Sequence, residues 1–238
     1  MSKRIRHHVN PLGILKEHSF AGFGNTRDII VDIGAFKGEF IAELSALFPQ
    51  YNYIALEVRA RVAMQLRARF AMQENIRVFD GDGTRNLKNI LLPSQQAGVF
   101  VREIYINFPD PWPKKRHKKR RIITQQFLEH AAQWCDPRTT WIFQTDRKDV
   151  FDDTVAILDN CQYAYIFFDT PPYGIRTDWE KAQVERGATI YRMRFWVGIP
   201  TDDTTSMPTR ETFGERLIGT VAISILSVMH WLGGDDGH

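Results

Sequence analysis

Short apolar runs alternate with segments of helical periodicity along most of the chain. Seven runs have the length and composition of strands, from RDIIVDIG at Arg27–Gly34 to TIYRMRFWV at 189–197. Strands that alternate with helices require right-handed βαβ crossovers, and such crossovers produce a mainly parallel sheet. The pattern therefore predicts an α/β protein with a Rossmann-like sheet of about seven strands and helices on both faces.

The last two predicted strands differ from the others in their connection. YAYIFFD at 163–169 and TIYRMRFWV at 189–197 are expected to be joined by a loop too short for a helix. Without a crossover helix, consecutive strands pair most simply as antiparallel neighbours. We therefore expect the final strand to run antiparallel to the rest of the sheet.

Two terminal segments lie outside this alternation. Residues 1–23 are predicted to form a basic, loosely ordered arm, and residues 24–198 to form the sheet domain. Residues 199–238 begin as a polar linker and continue into sixteen uncharged residues, Leu217–Leu232. A membrane span requires roughly twenty apolar residues. We therefore favour a helix that docks on protein over a tail that contacts a membrane, and the sequence assigns this segment no function.

Cysteine content bears on the compartment and on metal binding. The chain has two cysteines, Cys135 and Cys161, whose separation does not match a metal-ligand motif. The first residues contain no apolar stretch of the kind that a signal peptide requires. We therefore expect a cytoplasmic protein with no disulfide framework and no metal.

Acidic residues follow the first three predicted strands. Asp32, Glu57 and Asp82 each lie at or just beyond the carboxyl end of a strand, where open parallel sheets bind their ligands. Carboxylates accept hydrogen bonds from ribose hydroxyls and from an adenine amino group, and they favour a cationic ligand. Each residue alone is also explained as an ordinary polar strand end, but the three in order predict a nucleoside-type cofactor.

The loop after the first strand, DIGAFKG, is poor in glycine. A dinucleotide fingerprint needs three glycines so that the backbone can approach the phosphates, whereas only Gly34 and Gly38 are present here, with Phe36 between them. The loop therefore suits S-adenosylmethionine, which has a sulfonium and no phosphate, better than a nicotinamide dinucleotide. The alternative is that Asp32 and Gly34 merely shape a turn between strand and helix.

The fourth strand continues into the stretch NFPDPWPKKRHKKRR. Three prolines stiffen a turn that carries Asp110 and Trp112; the alternative is a rigid connection with Trp112 buried in the core. Seven Lys or Arg then fall within the eight residues Lys114–Arg121, and without them 24 basic residues face 28 acidic ones. The positive charge is therefore local, which predicts a polyanion site, although charge alone equally suits a solvated helix start or a localisation signal.

Together these motifs resemble the tRNA (guanine-N7-)-methyltransferase family. PDPWPKKRHKKRR is highly specific to that family, and DIGAFKGEF, QTDR and RTDWE keep the family order between Arg27 and Val197. The resemblance implies a class I methyltransferase sheet that uses S-adenosylmethionine. It also implies methyl transfer to N7 of a guanine in the variable loop of tRNA, conventionally position 46. The expected partner is tRNA rather than DNA, and a monomer and a homodimer both stay open.

The resemblance also implies roles for individual residues. Because guanine N7 has a free lone pair at neutral pH, Asp110 is expected to orient the base and stabilise charge rather than to remove a proton. Phe36 replaces a family glycine, so an RNA-binding homologue with impaired catalysis is the alternative function. The implied cofactor contacts are Asp32, Gly34, Glu57, Asp82 and Asp110; the implied substrate contacts are Lys114, Asp146, Thr177, Asp178, Trp179 and Glu180; and the expected phosphate contacts are Lys115, Arg116, Lys118, Lys119, Arg120 and Arg121.

Overall fold

The computed structural model describes Asn10, Gly13, Ile14 and residues 16–200. Seven strands form one sheet in the order β3-β2-β1-β4-β5-β7-β6. The first five strands are parallel, and β7 is antiparallel to both β5 and β6. This topology confirms the predicted fold class. The strands are β1 (Ile29–Ile33), β2 (Asn52–Glu57), β3 (Ile76–Asp80), β4 (Val101–Asn107), β5 (Thr140–Thr145), β6 (Tyr163–Phe167) and β7 (Tyr191–Pro200).

Helices connect most of these strands. They are α1 (Glu39–Leu47), α2 (Ala60–Arg69), α3 (Gly83–Gln96), α4 (Gln125–Ala131), α5 (Lys148–Cys161) and α6 (Asp178–Glu185), with short 3₁₀ segments at Lys115–Arg120 and Pro172–Gly174. Sequence periodicity did not predict α3, which contains Pro93, or α6. The expectation that only a short loop joins β6 to β7 is therefore wrong, although the antiparallel pairing is confirmed.

The start of α6 has a local cause in the sequence TDWE. The Thr177 side chain accepts a hydrogen bond from the backbone N–H of Glu180 at 3.1 Å. A threonine followed three residues later by glutamate is a recognised signature of a helix N-terminus. Thr177 therefore caps α6, and the other three residues that the family resemblance assigns to substrate form its first turn. The loop prediction failed because this capping signal was not taken into account.

Apolar side chains leave the sheet alternately toward its two faces. Ile29, Val31 and Ile33 of β1 pack in one core with α3, α4 and α5, whereas Ile30 packs in the other with α1 and α2. Side chains alternate in this way because successive residues of a strand point to opposite faces. All five residues of β1 are buried, as expected for a central parallel strand that is covered on both sides.

The described part of the predicted N-terminal arm packs against β3. Lys16 Nζ lies 2.8 Å from Asp80 Oδ2, and His18 Nε2 lies 2.6 Å from the Asp80 carbonyl oxygen. The His18 backbone N–H also donates to Asn86 Oδ1 at 2.7 Å. These contacts hold residues 16–18 against the sheet, so this part of the arm is not loosely ordered. The domain boundary at residue 23 stays a prediction.

The predicted apolar helix Leu217–Leu232 lies outside the described residues. Across the part of the chain that the structure describes, every helix is too short or too polar to cross a membrane.

Asp80 provides a test of the contact between the arm and the sheet. Burial raises its pKa, but hydrogen bonds from Lys16 and Arg67 outweigh burial and lower the pKa to about 2. A depressed carboxyl pKa contributes stability above the unfolded value near 4, and this contribution is lost as the pH falls toward 2. Asp80→Asn should therefore lower the free energy of unfolding at pH 7 by about 1–2 kcal/mol.

Urea unfolding of wild-type and Asp80→Asn protein measures this difference at pH 7 and again near pH 3. The gap between the two proteins should narrow at the lower pH, because the Asp80 carboxyl group is then largely protonated in the unfolded wild-type chain while it stays ionised in the folded one. A gap that is unchanged across this range would contradict the role assigned to the carboxylate.

Candidate active site

A cleft of about 590 Å³ opens at the carboxyl ends of the parallel strands. Gly34, Glu57, Asp82 and Asp110 all line it, so four of the five predicted cofactor residues meet in one place. The fifth, Asp32, is buried and only 3% exposed. The volume lies within the range of small-molecule sites, and the clustered carboxylates suit a cationic nucleoside.

Glu57 is held from two sides. Its Oε2 accepts the backbone N–H of Phe36 at 3.0 Å, and Arg59 donates Nε to Oε1 at 2.7 Å and Nη2 to Oε2 at 2.9 Å. The hydrogen bond to Glu57 raises the pKa of Arg59, and the charge of Asp110 contributes in the same direction. Arg59 therefore bonds Glu57 and also feels the charge of Asp110, and both carboxylates were predicted to contact the cofactor.

Phe36 does not point into the core. Its side chain is 42% exposed, and the Arg59 guanidinium lies 5.0 Å from the ring centroid. Its backbone has a φ of 48°, in the left-handed region that favours glycine. The structure therefore excludes a core position for Phe36 and places its ring at the surface of the loop after β1, Gly34–Gly38, which we call the cofactor loop.

Asp32 has an unusual titration because of its environment. Burial raises its pKa from 3.8 to about 7; a hydrogen bond from Asn107 opposes this rise, and the charge of Glu57 adds to it. Asn107 Nδ2 lies 3.5 Å from Asp32 Oδ1. A buried carboxyl group of this kind changes its charge near neutral pH, which is common at functional sites.

Asp82 has a rigid position at the start of α3. Its Oδ1 accepts the Thr84 hydroxyl at 2.5 Å and the backbone N–H of Arg85 at 3.1 Å. A Cβ added to the neighbouring Gly83 would lie 2.7 Å from Ile33 Cγ2. Helix capping and this close approach together fix the carboxylate at the edge of the cleft.

The proline-rich turn after β4 has strained backbone at two residues. Phe108 has a φ of 48° and Trp112 a φ of 40°, and non-glycine residues rarely adopt such values. Asp110 and Trp112 both line the cleft. The Arg120 guanidinium lies 5.0 Å from the Trp112 ring centroid. The partial exposure of Trp112 excludes its interpretation as a core residue.

The buried guanidinium of Arg121 holds the proline-rich turn in place. Its Nε donates to the Pro111 carbonyl oxygen at 2.8 Å, and its guanidinium pairs with Asp153 and lies 3.5 Å from Asp149. Only 8% of Arg121 is exposed. The expectation that Arg121 contacts phosphate therefore does not fit, because its buried guanidinium is already committed to α5 and to the turn.

The other cations of the run have more solvent access. Lys114, Lys115, Arg116, Lys118 and Lys119 are exposed, and Arg120 is partly buried. Lys118 Nζ lies 2.5 Å from Asp153 Oδ2, so its charge is partly compensated. The 3₁₀ helix follows the turn directly, which places an exposed cationic surface beside the acidic cleft.

The predicted substrate residues after β5 and β6 do not line the cleft. Asp146 is partly buried, Trp179 is 54% exposed, and Asp178 is exposed. Glu180 is fully buried, with its Oε1 2.6 Å from Arg192 Nη2. The structure therefore gathers the predicted cofactor residues but leaves Thr177–Glu180 as a separate cluster at the start of α6.

Sequence reasoning missed three polar residues near the strand ends, of which Gln144 and Arg192 are buried and Asn107 is partly buried. Arg192 Nε donates to Gln144 Oε1 at 2.8 Å, and Gln144 Nε2 donates to Asn107 Oδ1 at 2.7 Å. The available signal was a long polar side chain or an amide within each of three largely apolar strand patterns: EIYINF, TTWIFQT and TIYRMRFWV. Among the described residues, no group of three or more His, Cys, Asp or Glu could hold a metal ion.

Comparisons with known proteins agree with this geometry. A family described as "Putative methyltransferase" matches residues 26–193. A relative from Latilactobacillus sakei is 30% identical over 72% of this chain and 82% of its own length, and one from Lachnoclostridium phytofermentans is 33% identical over 72% and 81%. A relative from Thermosynechococcus vestitus is 28% identical over 82% of this chain and 95% of its own. All three are named tRNA (guanine-N(7)-)-methyltransferase.

The sheet topology and the cleft define a Rossmann-like methyltransferase domain, and the family match supports S-adenosylmethionine as its cofactor. The chain belongs to the tRNA (guanine-N(7)-)-methyltransferase family, as the sequence motifs predicted.

Titration of Asp32 is testable in the cofactor-free protein. Because its folded pKa is about 7 and its unfolded value is near 3.8, the native state binds the proton more tightly between these values. Stability is therefore lost as pH rises from about 4 to about 7, by up to about 1.4 kcal/mol per pH unit. Asp32→Asn removes this dependence and should stabilise the protein more at pH 8 than at pH 5.

Urea unfolding at pH 5 and pH 8 gives the stability difference between wild type and Asp32→Asn at each pH. Comparing the two proteins at the same pH cancels the other titrating groups. An equal difference at both pH values would show that the carboxyl pKa is not raised.

Proposed function

We propose that this protein transfers a methyl group from S-adenosylmethionine to N7 of a guanine in tRNA, at the variable-loop position conventionally numbered 46. One observation carries the proposal: Asp110 lies in the cofactor cleft on the same stiff turn that leads directly into the exposed basic 3₁₀ helix. A polyanion held by that helix would therefore lie next to the cleft. The names of the relatives support guanine N7 as the acceptor.

The residues present fit the chemistry of this reaction. When bound, the cofactor supplies a methyl group on a sulfonium. Guanine N7 needs no deprotonation, so the cleft has to orient the base and stabilise the positive charge that the purine acquires. Asp110 can do both, because a carboxylate fixed by a rigid turn favours a transition state that gains positive charge. We assign the same electrostatic contribution to Asp82 and Glu57 at the cofactor.

The start of α6 is our candidate for recognition of the guanine edge. Glu180 Oε2 is buried and has no hydrogen-bond partner among the described residues. An unsatisfied buried acceptor costs about 1–3 kcal/mol, and the N1 and N2 donors of guanine would satisfy it. Because Glu180 is fully buried, contact with a base requires the start of α6 to shift. We assign Lys114, Asp146 and Thr177–Glu180 to this substrate end.

Phosphate binding falls to the exposed cations. Lys115, Arg116 and Lys119 project from the 3₁₀ helix next to the cleft. Lysine and arginine bind nucleic acid by displacing counterions from phosphates, which gives affinity without sequence readout. The basic helix would therefore hold the RNA strand while the acidic cleft selects the base.

A second candidate function is an RNA-binding homologue with impaired catalysis. The observation that favours it is that Arg59 and the Phe36 backbone N–H already occupy both Glu57 oxygens, while the Phe36 ring is exposed on the same loop. Calorimetry with S-adenosylmethionine separates the two candidates: binding supports the enzyme, whereas tRNA binding without cofactor binding supports the second candidate.

Methyl transfer itself is tested with radiolabelled S-adenosylmethionine and two tRNA transcripts that differ only at the variable-loop guanine. We expect label in the guanine transcript alone, recovered as 7-methylguanosine after digestion. Asp110→Asn should lower kcat by about 100-fold or more with tRNA affinity nearly unchanged. Asp152→Asn, an exposed carboxylate on α5, serves as the matched control. Equal labelling of both transcripts would contradict the assignment of the site.

The salt dependence of tRNA affinity tests which cations of the basic run contact phosphate. Lys115→Ala should reduce the slope of log affinity against log salt by roughly 0.7–0.9 for each phosphate that the variant no longer neutralises. Arg121→Gln should instead lower the thermal midpoint and leave the slope nearly unchanged, because Arg121 is buried beneath the turn. Filter binding across a range of salt concentrations measures the slope and thermal unfolding measures the midpoint. If the two variants reduced the slope equally, Arg121 would contact RNA phosphate and the division between exposed and buried cations would be wrong.

A further inference from the structure

A row of polar side chains, three of them buried and one partly buried, crosses four neighbouring strands at one edge of the sheet. Asn107 pairs directly with Gln144, and Gln144 pairs directly with Arg192. Asp32 pairs with Tyr105, two residues before Asn107, so Asp32 and Asn107 share a face. Side chains of directly paired residues on one face lie within contact distance. The register of β1, β4, β5 and β7 therefore aligns these four residues.

Hydrogen bonds join the row from α6 to the cofactor cleft. Arg192 donates Nη2 to Glu180 Oε1 at 2.6 Å and Nε to Gln144 Oε1 at 2.8 Å. Gln144 donates to Asn107 at 2.7 Å, and Asn107 donates to Asp32 at 3.5 Å. The row thus connects the proposed substrate end, Glu180, to the proposed cofactor end, Asp32.

The direction of these bonds is fixed by Arg192. A guanidinium can only donate, so Gln144 must turn its carbonyl oxygen toward Arg192 and its amide N–H groups toward Asn107. Asn107 must then accept with its oxygen and present its own N–H groups to Asp32. If Gln144 were apolar, no other member of the row would hold the Asn107 oxygen away from Asp32, and a protonated Asp32 could donate to that oxygen instead. Gln144 and Arg192 therefore set the hydrogen bond that Asp32 receives.

Because these polar groups are buried, removing one partner destabilises the protein, and desolvation of the whole set also costs free energy. Gln144 and Glu180 are fully buried, and Arg192 is 6% exposed. Buried charges and amides are tolerated where they are paired, and an apolar core would stabilise the sheet at least as well. Arg192 also donates Nη1 to the Asp169 carbonyl oxygen at 2.8 Å, which holds the segment that precedes α6. One guanidinium thus supports both α6 and the row of amides.

We propose that Gln144 and Arg192 are positioning residues that couple tRNA binding at Glu180 to cofactor binding in the cleft, which Asn107 lines beside the buried Asp32. This inference rests on the proposed function. When the base binds Glu180, α6 shifts and Arg192 moves with Glu180. Gln144 and Asn107 then reorient, because each bond in the row fixes which group donates, and the hydrogen bond to Asp32 changes. The two ligands therefore bind cooperatively, each raising the affinity of the protein for the other by the same factor, as linkage requires.

The coupling is measured by calorimetry with S-adenosylhomocysteine, which occupies the cofactor site without turnover. The dissociation constant is compared with and without saturating tRNA transcript. For the wild type we expect tRNA to tighten binding by about fivefold or more, within the usual range of coupling between sites. In Gln144→Met, which removes both amide bonds at similar volume, the ratio should fall to about one.

Arg192→Lys is the second variant and retains a charge for Glu180. Lysine lacks the planar fork that reaches Glu180, Gln144 and Asp169 together, so the ratio should again fall toward one even if Gln144→Met does not fold. Thr140→Val is the matched control, because Thr140 lies on the same strand, is fully buried, and accepts a hydrogen bond from Trp196 at 3.1 Å outside the row. Its ratio should equal the wild-type ratio.

Loss of coupling in both row variants with retention in Thr140→Val supports the inference. The inference is overturned if the row variants keep the wild-type coupling, or if Thr140→Val loses it to the same extent. A transcript without the target guanine should give no coupling, and full coupling with it would overturn the role of Glu180. If wild-type protein methylates tRNA but shows no coupling, the inference fails alone; if it does not methylate tRNA, the proposed function fails.

Discussion

Parallel pairing of β1 through β5 is the constraint on which the rest of the structure depends. It brings the carboxyl ends of five strands to one edge, and the chain has a polar side chain at or just beyond each of them. Packing carboxylates together at a partly desolvated edge is unfavourable unless hydrogen bonds or a cationic ligand compensate. Burial raises the pKa of Asp32, with a smaller contribution from the charge of Glu57, and Glu57 itself is compensated by Arg59.

Strained backbone around the cleft is held by tertiary hydrogen bonds. The Phe36 N–H binds Glu57, and the Phe108 N–H binds the Gln144 carbonyl oxygen at 2.8 Å. The Pro111 carbonyl oxygen is bound by Arg121. Left-handed conformations at residues other than glycine cost of order 1–3 kcal/mol each. These bonds offset that cost, so the cofactor loop and the turn of Asp110 keep a defined shape.

Charge is divided between two adjoining surfaces. Carboxylates line the cleft, and the neighbouring 3₁₀ helix exposes Lys115, Arg116 and Lys119. The acidic face of α5 compensates part of the basic run, since Asp153 pairs with Lys118 and Arg121. In the proposed function, the cations that stay exposed are the ones nearest to the bound RNA. Such separation lets one protein attract a polyanion while it stabilises a purine that becomes positive.

Sequence alone determined the strands, the parallel sheet with its antiparallel last strand, and the family, because apolar periodicity and the PDPWP motif are local signals. The positions of Asp32, Glu57 and Asp82 at or just beyond the strand ends could also be predicted, since a carboxylate that follows an apolar run is visible in the sequence. Only the tertiary structure decided that Arg121 is buried, that Glu180 pairs with Arg192, and that Gln144 and Asn107 join them to Asp32. These contacts depend on the strand order β1-β4-β5-β7, and residues as far apart in the chain as Asp32 and Arg192 are brought into one row by packing rather than by any local pattern.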